Sequence, residues 1–347
     1  MNKLLVIISV LLTCNSFGQG YSFNTEEWWH RLAYEEQMSA PGTANLDTCI
    51  VVASNRFLTG DKLRFMSETR GDGTLLYFFV YAYKGQWHVL KQKSLASAVK
   101  LMPHPNEDWV IYTEGMGKIF TSELNRGMMM SSQYGVNVIM LDYPSITTTK
   151  GNLGNYLFSI KNARLAYVDH VPMLEEIKQL KANGKLGTGK ISLFFHSMGN
   201  YLLRQTVKKK QLLRINDTKW ADNIILNSAC VPQYHHTKWL NKVSFAQNIY
   251  IQYNPEDRTL FWAELISKKK QLGRRLRNPV SSMANYVNFN KVVGEEHSYF
   301  LTLQGRMPAK DITKKYYNVI LHGGNINFKD PMYKPSTYRN IGYEVQP

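Results

Sequence analysis

Between residues 191 and 200 the chain reads Ile191-Ser192-Leu193-Phe194-Phe195-His196-Ser197-Met198-Gly199-Asn200, an apolar β-rich run that breaks at a serine and continues into a helical pattern. A serine hydroxyl is a weak nucleophile until a base removes its proton and a third group orients that base. N–H donors must also receive the charge that develops on the attacked carbonyl. A sharp strand-to-helix corner suits this chemistry, because it lifts the hydroxyl above the sheet and turns the next backbone N–H toward the developing oxyanion. The corner closes on itself, so small residues belong two before and two after the serine. Gly199 meets the second need; Phe195 departs from the first, which predicts that its ring tilts outward. The plainer role for Ser197 is to cap the following helix.

The His196-Ser197-Met198-Gly199-Asn200 corner, Tyr143-Pro144-Ser145 after an apolar strand, and the late His297-Ser298-Tyr299 together resemble the α/β-hydrolase superfamily, in particular an exported bacterial branch of serine hydrolases. The resemblance covers roughly residues 108–305. It implies that acid and histidine follow the serine in that order. Asp257, in Tyr253-Asn254-Pro255-Glu256-Asp257-Arg258, lies just past an apolar strand and suits the acid, with Glu256 its nearest competitor. Asp222 precedes its strand and falls at the wrong edge of the sheet. Of the nine histidines, His297 alone has both the order and the loop position of a general base.

The resemblance also places the oxyanion donors on the Met198 N–H and on the Met116 N–H within Thr113-Glu114-Gly115-Met116-Gly117. The superfamily often writes His-Gly where this chain has Glu114-Gly115. A carboxylate aimed inward would oppose an oxyanion, so Glu114 must turn away, pair with a cation or stay protonated. His235-His236 has no further spaced ligand, so no metal or other cofactor is expected. Segments 229–244 and 142–155 are the expected rims of a substrate pocket.

Elements must hold these residues in place. A helix capped by Asn24 and ended by Pro41-Gly42 is expected first, then β-rich runs at 49–53, 63–67, 75–83 and 87–90 that form an antiparallel lead into a larger sheet. From residue 108, apolar runs at 108–113, 136–141, 191–195, 223–226, 248–253 and 286–293 alternate with helical patterns, notably 156–180, 201–213 and 260–272. Such alternation predicts a mostly parallel sheet with helices on both faces, and the resemblance implies that this sheet is that of an α/β-hydrolase fold. The expected division is a signal peptide at 1–18, a helical extension at 19–45, the hydrolase domain at 46–320 and a surface tail at 321–347.

The 347 residues carry a net charge of +16, with 44% apolar residues, which excludes disorder. Lys3, the aliphatic run 4–12 and Ser16-Phe17-Gly18 have the form of a cleaved export signal leaving Gln19 first; acylation at Cys14 is the rival processing route. A periplasmic or extracellular protein is therefore expected. Processing leaves Cys49 and Cys230, for which the sequence leaves a disulfide open. The clusters 208–210, 268–270 and 274–277 read as solvated helix ends; the alternative is attraction to an anionic envelope surface, and no nucleic-acid motif accompanies them. The expected activity is cleavage of a small-molecule or lipid acyl bond through an acyl-enzyme. The alternative is a hydrolase-fold binding protein without turnover.

Overall fold

The computed structural model describes residues 23–44, 46, 48–303 and 308–347. The expected signal and Cys14 lie outside them. Twelve strands form one sheet in the order β1-β6-β5-β2-β8-β7-β9-β10-β11-β12-β14-β13. In chain order these are β1 (Leu32–Glu35), β2 (Cys49–Ser54), β5 (Leu76–Tyr83), β6 (Gln86–Gln92), β7 (Trp109–Thr113), β8 (Asn137–Asp142), β9 (Ile191–His196), β10 (Ala221–Asn227), β11 (Ala246–Tyr253), β12 (Ala284–Asn288), β13 (Tyr333–Pro335) and β14 (Tyr343–Val345). Strands β3 (Arg56–Leu58) and β4 (Met66–Arg70) pair apart from it. The run from β2 through β8, β7, β9, β10, β11 and β12 is parallel throughout, and β2-β5-β6 is an antiparallel meander, as the patterning predicts.

Strand alternation feeds two cores. Val51, Ile111, Leu193 and Phe195 face one side, where α4 (Asn152–Leu165), α5 (Tyr167–Ala182) and α6 (Asn200–Lys208) pack. Val52, Tyr112 and Phe194 face the other, under α3 (Phe120–Tyr134) and α10 (Asp311–Leu321). Both strand faces are covered, so the strands are apolar on both sides rather than alternating.

Several boundaries differ from the patterning, among them those expected at 63–67, 201–213 and 260–272, which fall at Met66–Arg70, Asn200–Lys208 and Arg258–Ser267. The first helix, α1 (Glu26–His30), is capped by Thr25, because Asn24 is taken up by Trp29 Nε1 at 2.9 Å and Glu68 at 3.3 Å. It stops early so that β1 can pair with β6 at the sheet edge. The helical pattern at 156–180 divides at Ala166. The strand expected to reach 293 ends at Asn288, whose side chain accepts from the Asn290 N–H at 3.1 Å and turns the chain into α9 (Asn290–Val293). The segment expected as a surface tail extends the sheet: Leu321 closes α10, β14 adds to β12 in parallel, and Val345 is buried. Gly342 explains the misleading composition, since a Cβ there would lie 2.1 Å from the Tyr286 carbonyl oxygen.

Candidate active site

Strand β7 is followed in sequence by β8 on one side, and the chain then crosses to β9 on the other. The loops leaving β7 and β9 therefore diverge at a switch point, the place where parallel sheets open a crevice at their carboxyl ends. Ser197 sits there, in a 3₁₀ turn from Ser197 to Gly199 that joins β9 to α6, with φ +50°. That left-handed geometry is unfavourable for a side chain and persists only where surroundings fix it. Asn200 Nδ2 donates to the carbonyls of Phe195 and Ser197 at 2.9 Å, and the Cys230 N–H donates to the Ser197 carbonyl at 3.0 Å.

The two glycines nearest the serine are there for space. A Cβ on Gly199 would lie 2.5 Å from the Thr113 carbonyl oxygen and 2.6 Å from that of Glu114, both rigid backbone. A Cβ on Gly115 would lie 2.6 Å from Ser197 Cβ, so the 114–117 backbone rests directly against the serine side chain. Ser145, in the Tyr143-Pro144-Ser145 motif, fixes that loop by accepting from the Lys118 N–H at 2.8 Å and donating to its carbonyl at 3.0 Å. Phe195, expected to tilt outward, is buried in one of the two cores below the turn.

Asp257 and His297 come from different loops and meet. Asp257 Oδ2 accepts from His297 Nδ1 at 2.7 Å, and Oδ1 accepts from the Leu260 N–H at 2.8 Å as the cap of α8 (Arg258–Ser267). Both carboxylate oxygens of a fully buried side chain are thus used, while Glu256 and Glu295 are exposed. The loop carrying the imidazole is held by Asn254 Nδ2, which donates to the Gly294 and Glu296 carbonyls at 2.7 and 3.1 Å, and by Ser228 Oγ, which donates to the His297 carbonyl at 2.9 Å. With Nδ1–H given to Asp257, Nε2 is left as the basic nitrogen. Asp222 instead binds the Ile191 N–H at 2.9 Å, at the opposite edge of the sheet.

Ser197, His297, Met116 and Met198 line one pocket, with Gly117, Lys118, Arg126, Tyr156, His196, Cys230, Thr259, Ala263 and Ser298. Cys230 is no rival nucleophile: burial, with Asp257 and Glu264 nearby, pushes its thiol far up. Both Cys49 and Cys230 are free and buried.

Glu114 does not line the pocket. It accepts from the Gly115 N–H at 2.8 Å and the Tyr112 hydroxyl at 2.5 Å, and Arg126 Nε lies 3.6 Å away. Burial opposes its ionisation, yet His196, the cations Lys118 and Arg126, and the Gly115 N–H outweigh that and hold the carboxyl well below the usual range. Of the three expected solutions, the pairing with a cation is the one realised. Glu123 behaves oppositely: burial, reinforced by Asp142 and Glu114, pushes it well above the usual range, so it stays protonated.

The expected rims need correcting. Asp142, Tyr143 and Ser145 are buried, Asp142 in a two-oxygen pair with Arg56 at 2.9 and 3.1 Å. From 229–244 only Cys230 reaches the pocket, because the chain turns away: Tyr234, His235 and Trp239 line a separate groove, where Lys208 and the 268–270 lysines also meet. His236 is buried between the Gln233 carbonyl and the Tyr286 hydroxyl. Arg274 is not a solvated helix end but a buried partner of Glu264 at 2.9 Å. Among the described residues no cluster of histidine, cysteine and acid has the makings of a metal site. The patterning missed Asn200, Asn227 and Arg126; only Asn200, next to the turn glycine, carried a signal. The chain matches no protein-family model, no curated protein and no solved structure.

Proposed function

We propose that the chain is a serine acyl hydrolase of the α/β-hydrolase fold, exported to the periplasm or beyond, acting on a carboxylic ester or related acyl bond. The observation that carries this reading is the Asp257–His297 pair, 2.7 Å apart, in one pocket with a serine held at φ +50°. Ser197 Oγ attacks the acyl carbon while His297 Nε2 takes its proton. Asp257 stabilises the imidazolium, and the Met116 and Met198 N–H groups receive the oxyanion. His297 returns the proton to the leaving oxygen, and water activated the same way cleaves the acyl-enzyme. The mixed apolar and cationic pocket accommodates a small or lipid-like acyl group.

Hydrolysis of short-chain 4-nitrophenyl esters by the wild type and by Ser197→Ala tests the reading. Turnover lost in the variant supports it; equal measurable rates would contradict the role of Ser197, and no turnover in either points to a binding protein without turnover. Among the described residues no helix is long and apolar enough to cross a membrane. Sequencing of the exported protein from its N-terminus should begin at Gln19, whereas an acylated Cys14 would make it a lipoprotein.

A further inference from the structure

Arg126, on α3, is held at 6% side-chain exposure in the wall of the Ser197 pocket. Its Nη1 is buried without a hydrogen-bond partner among the described residues. The nearest carboxylate does not supply one. Glu114 lies 3.6 Å from Arg126 Nε, beyond hydrogen-bond range, and its two oxygens already accept from the Gly115 N–H and the Tyr112 hydroxyl. Lys118 lines the same pocket, and no acidic side chain does. A buried guanidinium N–H left unpaired is costly, so such a donor at a pocket wall calls for an acceptor that arrives with the ligand.

We propose that Arg126 anchors an anionic group of the substrate, so that the pocket takes acyl compounds bearing a carboxylate or phosphate a few methylenes from the reacting carbonyl. This rests on Ser197 being the nucleophile. The guanidinium presents N–H donors in a fixed fork suited to either oxyanion. Arg126 is a binding residue here, acting on the substrate's remote end rather than on the bond being cleaved.

The test uses the whole chain and two aryl esters of equal acyl length, 4-nitrophenyl hexanoate and the mono-4-nitrophenyl ester of adipic acid. In Arg126→Gln the ratio of kcat/KM for the anionic over the neutral ester should fall roughly ten- to hundredfold, mainly through KM. Arg126→Lys, which keeps the charge, should recover part of that ratio. A purely structural role would slow both esters together and leave the ratio alone, which would overturn the inference. If Arg126→Gln fails to fold by circular dichroism, Arg126→Lys and competition in the wild type carry the test. Adipate and inorganic phosphate then compete against the neutral ester: the stronger competitor identifies the anion, and competition by neither, up to high millimolar concentration, overturns the proposal. Failure of Ser197 to react with a fluorophosphonate would instead remove the underlying assignment.

Discussion

Two imidazoles, each beside a carboxylate, line the same pocket side by side, with the His196 and His297 rings 4.8 Å apart. In one, Asp257 bonds His297 Nδ1 at 2.7 Å and leaves Nε2 open to the pocket. In the other, Glu114 lies 3.6 Å from His196 Nε2 and makes no hydrogen bond to it. His196 spends both nitrogens elsewhere: Nδ1 donates to Asn227 Oδ1 at 2.8 Å, and Nε2 accepts from Ser298 Oγ at 3.1 Å. Burial, reinforced by His297 and Arg126 and only partly opposed by Glu114, lowers its pKa to about 3, so it stays neutral. An acid beside an imidazole therefore does not make a base; which nitrogen the acid holds, and what the other is free to do, decides the role.

Substitution at the acid that bonds His297 should have the largest effect. Asp257→Asn would present the wrong hydrogen-bonding partner to Nδ1 and should reduce ester turnover about 10⁴-fold with the fold intact by circular dichroism. Loss of less than about tenfold would put the two pairs on the same footing. Gly199→Ala comes next. Its Cβ would meet rigid carbonyl oxygens at 2.5 and 2.6 Å, so a thermal melt should show destabilisation of about 1–3 kcal/mol or more, with activity lost as the serine is displaced.

The second pair should answer through stability rather than rate. His196→Ala leaves Asn227 Oδ1 and Ser298 Oγ without a partner, an expected loss of about 1–3 kcal/mol in denaturant unfolding. Its pH dependence has a definite sign. With a folded pKa of about 3 against roughly 6.5 in the unfolded chain, the neutral ring contributes stability above pH ~6.5 that is lost as pH falls toward the folded value. Melting temperatures of His196→Asn should accordingly fall less steeply between pH 6.5 and 4 than those of the wild type. The smallest effect belongs to exposed Glu256, where Glu256→Gln should change turnover by less than about tenfold, or ~1.4 kcal/mol in barrier.

The residues around His297 were more legible in sequence than those around His196, for a physical reason. Ser197 directly follows β9 and Asp257 lies just past β11, so strand periodicity locates them, and His297 follows β12 after the short α9. His196 and Glu114 also lie at strand ends, closing β9 and following β7, but their partners do not share one signal: Asn227 closes β10, Arg126 is mid-helix, and nothing in their spacing marks a shared cluster. Glu114 stands out in sequence, but its choice among turning away, pairing and protonation depends on Arg126, which only tertiary packing brings near. The parallel half of the sheet was readable because two-sided burial writes unbroken apolar runs. The C-terminal edge was not, because β14 is short and its approach to Tyr286 relies on a glycine, which in sequence reads as loop.

The central claim is that His297, and not His196, activates Ser197. Intact-protein mass spectrometry after brief exposure to a fluorophosphonate measures that activation directly. The wild type and His196→Asn should each gain one adduct, mapped to Ser197, whereas His297→Asn should react at least about a hundredfold more slowly. Equal labelling of His297→Asn and wild type, or loss of labelling in His196→Asn alone with its fold intact, would contradict the account.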